Sequence, residues 1–214
     1  MGPVAPVLPR AGELPDLERY ANESAAVPGM MHPKCAQLLY ALCAQQLIAG
    51  DVAEVGSWQG YSTSFLARAV RDTGNGRLFA IDHFQGNPGH EGKYVVGEGD
   101  LSDLRGQFEA NLRGLGLWEH VTLLDMPNEQ AAGQLQQMTP PPKLRFLLID
   151  GDHTRAGVQR DIDLFFPLLL PGATVVFDDF STQCEGVAAA LDELLTTRQV
   201  QRRFAYRNTL VVVV

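Results

Sequence analysis

The sequence predicts an α/β fold, a mostly parallel sheet with helices on both faces, closed by an antiparallel hairpin. Three stretches carry that expectation. Phe146–Ile149 and Thr174–Phe177 are short apolar runs suited to strands buried on both faces. Between them Val158, Ile162, Phe165, Phe166 and Leu169 recur at helical spacing up to Pro171-Gly172, and such a crossover is right-handed and leaves its strands parallel. Asp51–Val55 runs into a glycine-bracketed turn, then into a helix through Phe65, Leu66, Ala69 and Val70. Arg202–Tyr206 and Thr209–Val214 flank the turn-like pair Arg207-Asn208 and read as the hairpin. Its last run, Leu210–Val214, requires a place inside the sheet, because exposed it would aggregate.

The remaining elements follow in order. Met1 to Leu14, with Pro3, Pro6 and Pro9, reads as an irregular arm, and a short helix is expected after Pro15. Residues 1–33 are taken as arm and linker, and 34–214 as one domain. Lys34 to Ile48 has helical spacing (Leu38, Leu39, Leu42, Leu47) and a stop at Gly50. Arg77–Ile81 reads as the second strand and Val121–Leu124 as the third. Helices are expected over Leu101–Leu115, Glu129–Met138 and Gly186–Thr197. His83 to Gly99, long and glycine-rich, is expected to be a lid.

A length of 214 residues suits one domain with a full core. Net charge −8 argues against nucleic acid or an anionic membrane as partner. No apolar run reaches transmembrane length, and the N-terminus lacks a basic-then-apolar signal. Cys35, Cys43 and Cys184 are odd in number and lack metal-ligand spacing, so they read as thiols in a reducing cytoplasm. Small-molecule substrates are the expected partners; the oligomeric state stays open.

The chemistry-bearing residues gather where strands end. The strand–helix–strand unit delivers Asp150 and Asp152 from one strand and Asp178 and Asp179 from the other to the same sheet edge. Ligands of open α/β sheets bind there. Converging carboxylates repel one another, so either some stay protonated or a cation neutralises them; Mg²⁺ resolves the conflict most simply. The competing reading is that these acids cap helices and face water. In the first turn, Gly56 permits a sharp reversal and Gly60 a close helix–strand approach. The helix that follows points free N–H groups at the turn. Glu54 replaces the first glycine of a dinucleotide fingerprint, which opposes a pyrophosphate and suits a cationic amine. Asp82 ends the second strand, well placed to accept from ribose hydroxyls. Met30 and Met31 are either packing or a roof over a cofactor.

The runs Glu54-Val-Gly-Ser-Trp-Gln-Gly-Tyr-Ser62, Ala-Ile-Asp82, Ile-Asp150-Gly-Asp-His153 and Val-Val-Phe-Asp178-Asp179 resemble a class I S-adenosylmethionine-dependent methyltransferase. More narrowly they resemble the metal-dependent O-methyltransferases, catechol and caffeoyl-CoA enzymes and natural-product sugar enzymes among them. The resemblance covers Gly50 to Val214 and implies a three-layer Rossmann-like fold with a seven-stranded sheet. It implies that Glu54, Gly56, Ser57, Gly60 and Ser62 form the methionine end of the cofactor site, that Asp82 holds the ribose, and that Asp125 and Met126 flank the adenine. Asp150, Asp178 and Asp179 would bind the divalent metal, expected to be Mg²⁺. Where catechol-type enzymes carry a lysine base, this chain has His153. The sugar enzymes place their proposed base at the position of Asp152, so His153 and Asp152 both stand as candidates. Substrates with vicinal oxygens follow, a sugar of a metabolite or a catechol. A metal-free methyltransferase using His153 and a non-catalytic nucleotide-binding module are the alternatives.

Overall fold

The computed structural model describes residues 15–86, 103–180, 184–197 and 200–214. The expected arm at residues 1–14 and the expected lid from residue 87 onward lie outside them. Seven strands, β1 (Asp51–Val55), β2 (Leu78–Asp82), β3 (Val121–Asp125), β4 (Leu144–Ile149), β5 (Leu169–Phe177), β6 (Arg202–Tyr206) and β7 (Thr209–Val213), form one sheet. Its order is β3-β2-β1-β4-β5-β7-β6, parallel except for the two pairings of β7. Strand order reverses between β1 and β4, so the switch-point crevice opens beside the carboxyl ends of those two strands.

The two-residue period of the strands sorts the core into two layers. Val52, Leu78, Ala80, Phe146 and Leu148 face the side covered by helices α2 (Pro33–Ala44), α3 (Tyr61–Thr73) and α4 (Leu104–Gly114). Ala53, Val55, Phe79, Ile81 and Leu147 face α5 (Asn128–Gln137), α6 (Arg155–Phe165) and α7 (Glu185–Thr197). The expected three-layer sheet and hairpin are therefore present. β7 lies between β5 and β6, which buries Leu210, Val211 and Val212. The edge strand β6 is exposed throughout and carries Arg202 and Arg203, charges that discourage pairing with another chain.

The short helix expected after Pro15 is α1 (Leu17–Glu23). Tyr20 from α1 and Tyr40 from α2 both donate to Asp72 Oδ2, at 2.6 and 3.0 Å, tying α1 to the end of α3. That anchorage brings the following segment, with Met30 and Met31, over the crevice. At the opposite edge of the sheet the fully buried Arg145 donates to the carbonyls of Cys43, Gly50 and Asn75.

Two boundaries differ from the sequence reading. The helix expected to reach Ile48 stops at Ala44, because the Asn75 side chain captures the Ile48 carbonyl and the Gly50 N–H in a non-helical turn. Pro171-Gly172 does not close the crossover helix. Pro167 sits in a 3-10 turn at Phe166–Leu168, and β5 begins at Leu169. The register then jumps from Leu144↔Leu169 to Phe146↔Thr174, which places Pro171 and Gly172 in a bulge within β5. Among the described residues no helix is long and apolar enough to cross a membrane.

Candidate active site

A cleft of about 1040 Å³ opens at the switch point. Its floor begins at Gly56, which follows β1 at φ +87; a Cβ there would lie 2.2 Å from the Asp150 carbonyl oxygen. Only glycine lets the turn after β1 press against the end of β4, and that contact joins the two sequence motifs. Gly60 also has positive φ (+91), but a Cβ on it would meet Phe108 of α4, so the expected close approach is to a helix and not to a strand. Trp58, Phe84 and Asp179, three of the four non-glycine residues with positive φ among those described, line this same cleft. Such conformations persist where surrounding structure enforces them, and they concentrate at functional sites.

Asp82 organises the turn. Its Oδ2 accepts from the backbone N–H groups of Ser57 (2.9 Å) and Trp58 (2.8 Å), and its Oδ1 from that of Phe84 (2.7 Å). Carboxylate oxygens have lone pairs beyond these three, so Asp82 keeps capacity for a ligand hydroxyl. Asp82→Ala is expected to weaken S-adenosylmethionine binding about 10- to 100-fold by calorimetric titration, matching the loss of a charged hydrogen-bond partner worth about 1.5–3 kcal/mol. Unchanged affinity, or binding of NAD in place of S-adenosylmethionine, would rule out this use of the turn.

Glu54 lies behind Ser57 and Ser62, fully buried, and does not itself line the cleft. Its Oε2 accepts from Ser57 Oγ (3.0 Å) and from Thr63 Oγ1, while Oε1 has no hydrogen-bond partner among the described residues. Burial raises its pKa from 4.5 to about 7, against the lowering effect of the Ser62, Thr63 and Ser57 hydroxyls. A buried carboxylate with one oxygen unpartnered, behind a glycine turn, fits a cleft that takes a ligand with a cationic amine. The sign of its linkage to stability is fixed. The folded state holds the proton more tightly than the unfolded state, so stability is lost as pH rises from 4.5 through 7. Glu54→Gln is therefore expected to melt a few degrees above the native chain at pH 8, with the gap closing toward pH 5. That corresponds to about 1–3 kcal/mol, and a gap independent of pH would refute it.

The acid cluster lies across the cleft, at the ends of β4 and β5. His153 Nε2 sits 3.7 Å from Asp150 Oδ1 and 3.3 Å from Asp179 Oδ2. The terminal hairpin holds the other pair: Thr209 Oγ1 donates to Asp178 Oδ1 (2.9 Å) and Asn208 Nδ2 to Asp179 Oδ1 (3.2 Å). Loss of water, and then the charges of Asp178 and Asp179, push the Asp150 carboxyl well above the usual range. Burial and the neighbouring Asp179 raise Asp178 as well. The Asp150 carboxylate, by hydrogen bonding, raises His153. Carboxylates that hold each other's protons on, with an imidazole between two of them, are a donor set that fits a divalent cation.

Asp152 stands apart from this group. It accepts from Thr154 N at 2.9 Å, lies 3.6 Å from Arg160 Nη2, and packs over Gly157, where a Cβ would meet its carboxyl at 2.3 Å. Its charge therefore sits against the N-terminus of α6, although it still lines the cleft. Asp125 ends β3 opposite Asp82 but pairs with Arg105 at 3.7 Å. Neither Asp125 nor Met126 reaches the cleft wall, which Pro127, Asn128 and Glu129 form instead. Sequence reasoning missed these three, together with Thr63 and Arg160. Thr63 was legible as the hydroxyl beside Ser62 in the first turn of α3, whereas Arg160 becomes visible only when α6 is placed against α5.

A reversed sheet order, a glycine turn over a buried acid and an acid-terminated β2 fit the class I methyltransferase that the sequence motifs resemble. The chain belongs to the methyltransferase domain family, whose model matches residues 53–180. It is 27% identical over 142 residues to the 8-demethyl-8-(2,3-dimethoxy-alpha-L-rhamnosyl)-tetracenomycin-C 4'-O-methyltransferase of Streptomyces olivaceus, covering 63% of this chain and 54% of that protein. The chain thus spans about half the length of that curated relative. Among solved structures, the O-methyltransferase NovP superposes with a TM-score of 0.65 at 20% identity, covering 92% of this chain and 87% of that one. An O-methyltransferase from Bacillus cereus in complex with SAH gives 0.66 at 17% identity, over 92% and 90%. At these identities the structural likeness shows the fold.

Proposed function

We propose that this chain transfers the methyl group of S-adenosylmethionine to a hydroxyl of a small molecule with vicinal oxygens. The observation that carries the reading is the convergence of Asp150, His153, Asp178 and Asp179 across one cleft from the turn held by Asp82. The reaction breaks a sulfur–carbon bond and forms an oxygen–carbon bond, and the hydroxyl must give up its proton. Gly56, Ser57 and Ser62 line the cofactor pocket, with Gly60 and the buried Glu54 behind them, and Asp82 takes the ribose. Asp150, Asp178 and Asp179 would hold a divalent cation, Mg²⁺ by donor type, which when bound lowers the pKa of a coordinated hydroxyl and fixes its place. His153 would accept the proton at Nε2 once Asp150 and Asp179 are taken up by the cation, because the nitrogen that faces those carboxylates cannot donate to them and act as base at once. Alignment of oxygen with methyl supplies much of the remaining rate.

A sugar hydroxyl is favoured over a catechol. The relative from Streptomyces olivaceus is named for a rhamnosyl substrate, and this chain carries the Asp150-Gly-Asp152 run of the sugar enzymes it resembles, with His153 where catechol-type enzymes have a lysine base. The test is incubation of the full chain with S-adenosylmethionine and panels of glycosides and catechols, read by mass spectrometry, with Mg²⁺ or with chelator. Methylation of vicinal diols that needs the ion is expected. Turnover unchanged by chelator selects a metal-free reaction with His153 as base, a reading the imidazole's place between two carboxylates also allows. Cofactor binding with no turnover on any substrate would mark a non-catalytic module.

A further inference from the structure

One side chain at the acid cluster plays no part in the proposed reaction. The ligand atoms of His153, Asp179 and Cys184 all lie within 4.8 Å of one another. They come from three places in the chain, namely the turn after β4, the end of β5 and the residue before α7. The approach of the last to the first is built into the fold. Gly186, in the first turn of α7, packs so closely on the His153 segment that a Cβ there would lie 2.5 Å from the His153 carbonyl oxygen and 2.8 Å from the Arg155 nitrogen. Any other residue would push the α7 start, and Cys184 with it, away from His153. Cys184 is half-buried and not in a disulfide.

We propose that His153, Asp179 and Cys184 form a second, softer metal site that takes Zn²⁺ and overlaps the hard-ion site at Asp179. It deepens the reading given above, since it makes zinc a regulator of the same centre. The donor types decide the preference. Mg²⁺ is a hard ion that binds oxygen and keeps much of its water, whereas thiolate and imidazole select zinc. One thiolate and one carboxylate neutralise the ion, and three protein ligands with an open fourth position is a recurrent zinc arrangement. Ligand atoms around tetrahedral zinc stand about 3.3–3.8 Å apart, so the three groups need to close by only about an ångström. Asp150 Oδ1, 3.7 Å from His153 Nε2, is a further donor at hand. Binding releases the Cys184 thiol proton to solvent. It also ties up Nε2 of His153 and one oxygen of Asp179, so zinc displaces Mg²⁺ and silences the base together.

The test uses the full chain without cofactor, kept reduced, titrated with Co²⁺ as a spectroscopic stand-in for zinc. One equivalent should produce the near-ultraviolet band of a sulfur–cobalt bond, bleached by one equivalent of Zn²⁺ and untouched by excess Mg²⁺. Cys184→Ser should abolish the band and weaken zinc at least about 100-fold, the upper end of what losing even an outer-shell partner costs. His153→Gln should weaken zinc while leaving the thiol in place. In turnover assays with Mg²⁺, zinc should inhibit the native chain and spare Cys184→Ser. A cobalt complex without a sulfur band, or a band that survives Cys184→Ser and so belongs to Cys35 or Cys43, overturns the site. The cobalt spectra do not depend on methyl transfer, so failure of the proposed reaction would leave them intact. Failure of the zinc site would in turn leave Mg²⁺-dependent turnover intact.

Discussion

Asp179→Asn is expected to abolish methyl transfer at saturating Mg²⁺ while S-adenosylmethionine affinity stays within a few-fold of native. In the proposed reaction the carboxylate is one of three that would share the charge of the ion, and it lies across the cleft from the turn held by Asp82. Asparagine is the informative replacement for two reasons. Asp179 has φ +55, a conformation that asparagine tolerates better than other non-glycine residues, so the backbone at the end of β5 need not move. The amide also keeps an oxygen able to accept from Asn208, which preserves the contact with the hairpin. Loss of the charge is then the main change. Parallel calorimetry and turnover assays check the result, with chelated native chain as the reference. If Asp179→Asn and the chelated chain both retain full activity, the acid cluster is structural and no ion takes part.

Turnover by His153→Gln should fall about 10²- to 10⁴-fold, the usual contribution of a positioned base, with Mg²⁺ binding retained. Asp152→Asn should cost much less. Its carboxylate caps the turn before α6 and lies 3.6 Å from the Arg160 guanidinium, so its charge is spent on the helix start. His153 instead points Nε2 at the two acids where the substrate oxygens would gather. The two variants are compared side by side in zinc-free buffer. A larger loss in Asp152→Asn would reverse the assignment and make His153 the positioning residue.

The continuous burial of Leu78–Ile81 and of Phe146–Ile149 was legible because short, wholly apolar runs report strands covered on both faces. The strand ends were legible for the same reason, and with them the acids that follow each run. Boundaries set by one distant side chain were not. Nothing local to Ile48 announces Asn75, and the bulge at Pro171-Gly172 exists because β5 must pair with β4 on one side and β7 on the other. Asp125 and Met126 sit at the expected strand end, yet the cleft wall passes to Pro127, Asn128 and Glu129 one step further on.

What the sequence by itself determined is the order of strands and helices and the delivery of Asp82, Asp150, Asp178 and Asp179 to one sheet edge. Those follow from periodicity and crossover handedness, which are local properties of the chain. Only the tertiary structure decided which of these groups meet. It set His153 between Asp150 and Asp179, turned Asp152 onto α6, put Glu54 behind the cleft floor, and brought Cys184 and the hairpin residues Asn208 and Thr209 to the same cluster. The reason is packing. Gly56 against Asp150 and Gly186 against His153 are contacts between distant segments, and a missing side chain becomes informative only when the other segment is in place.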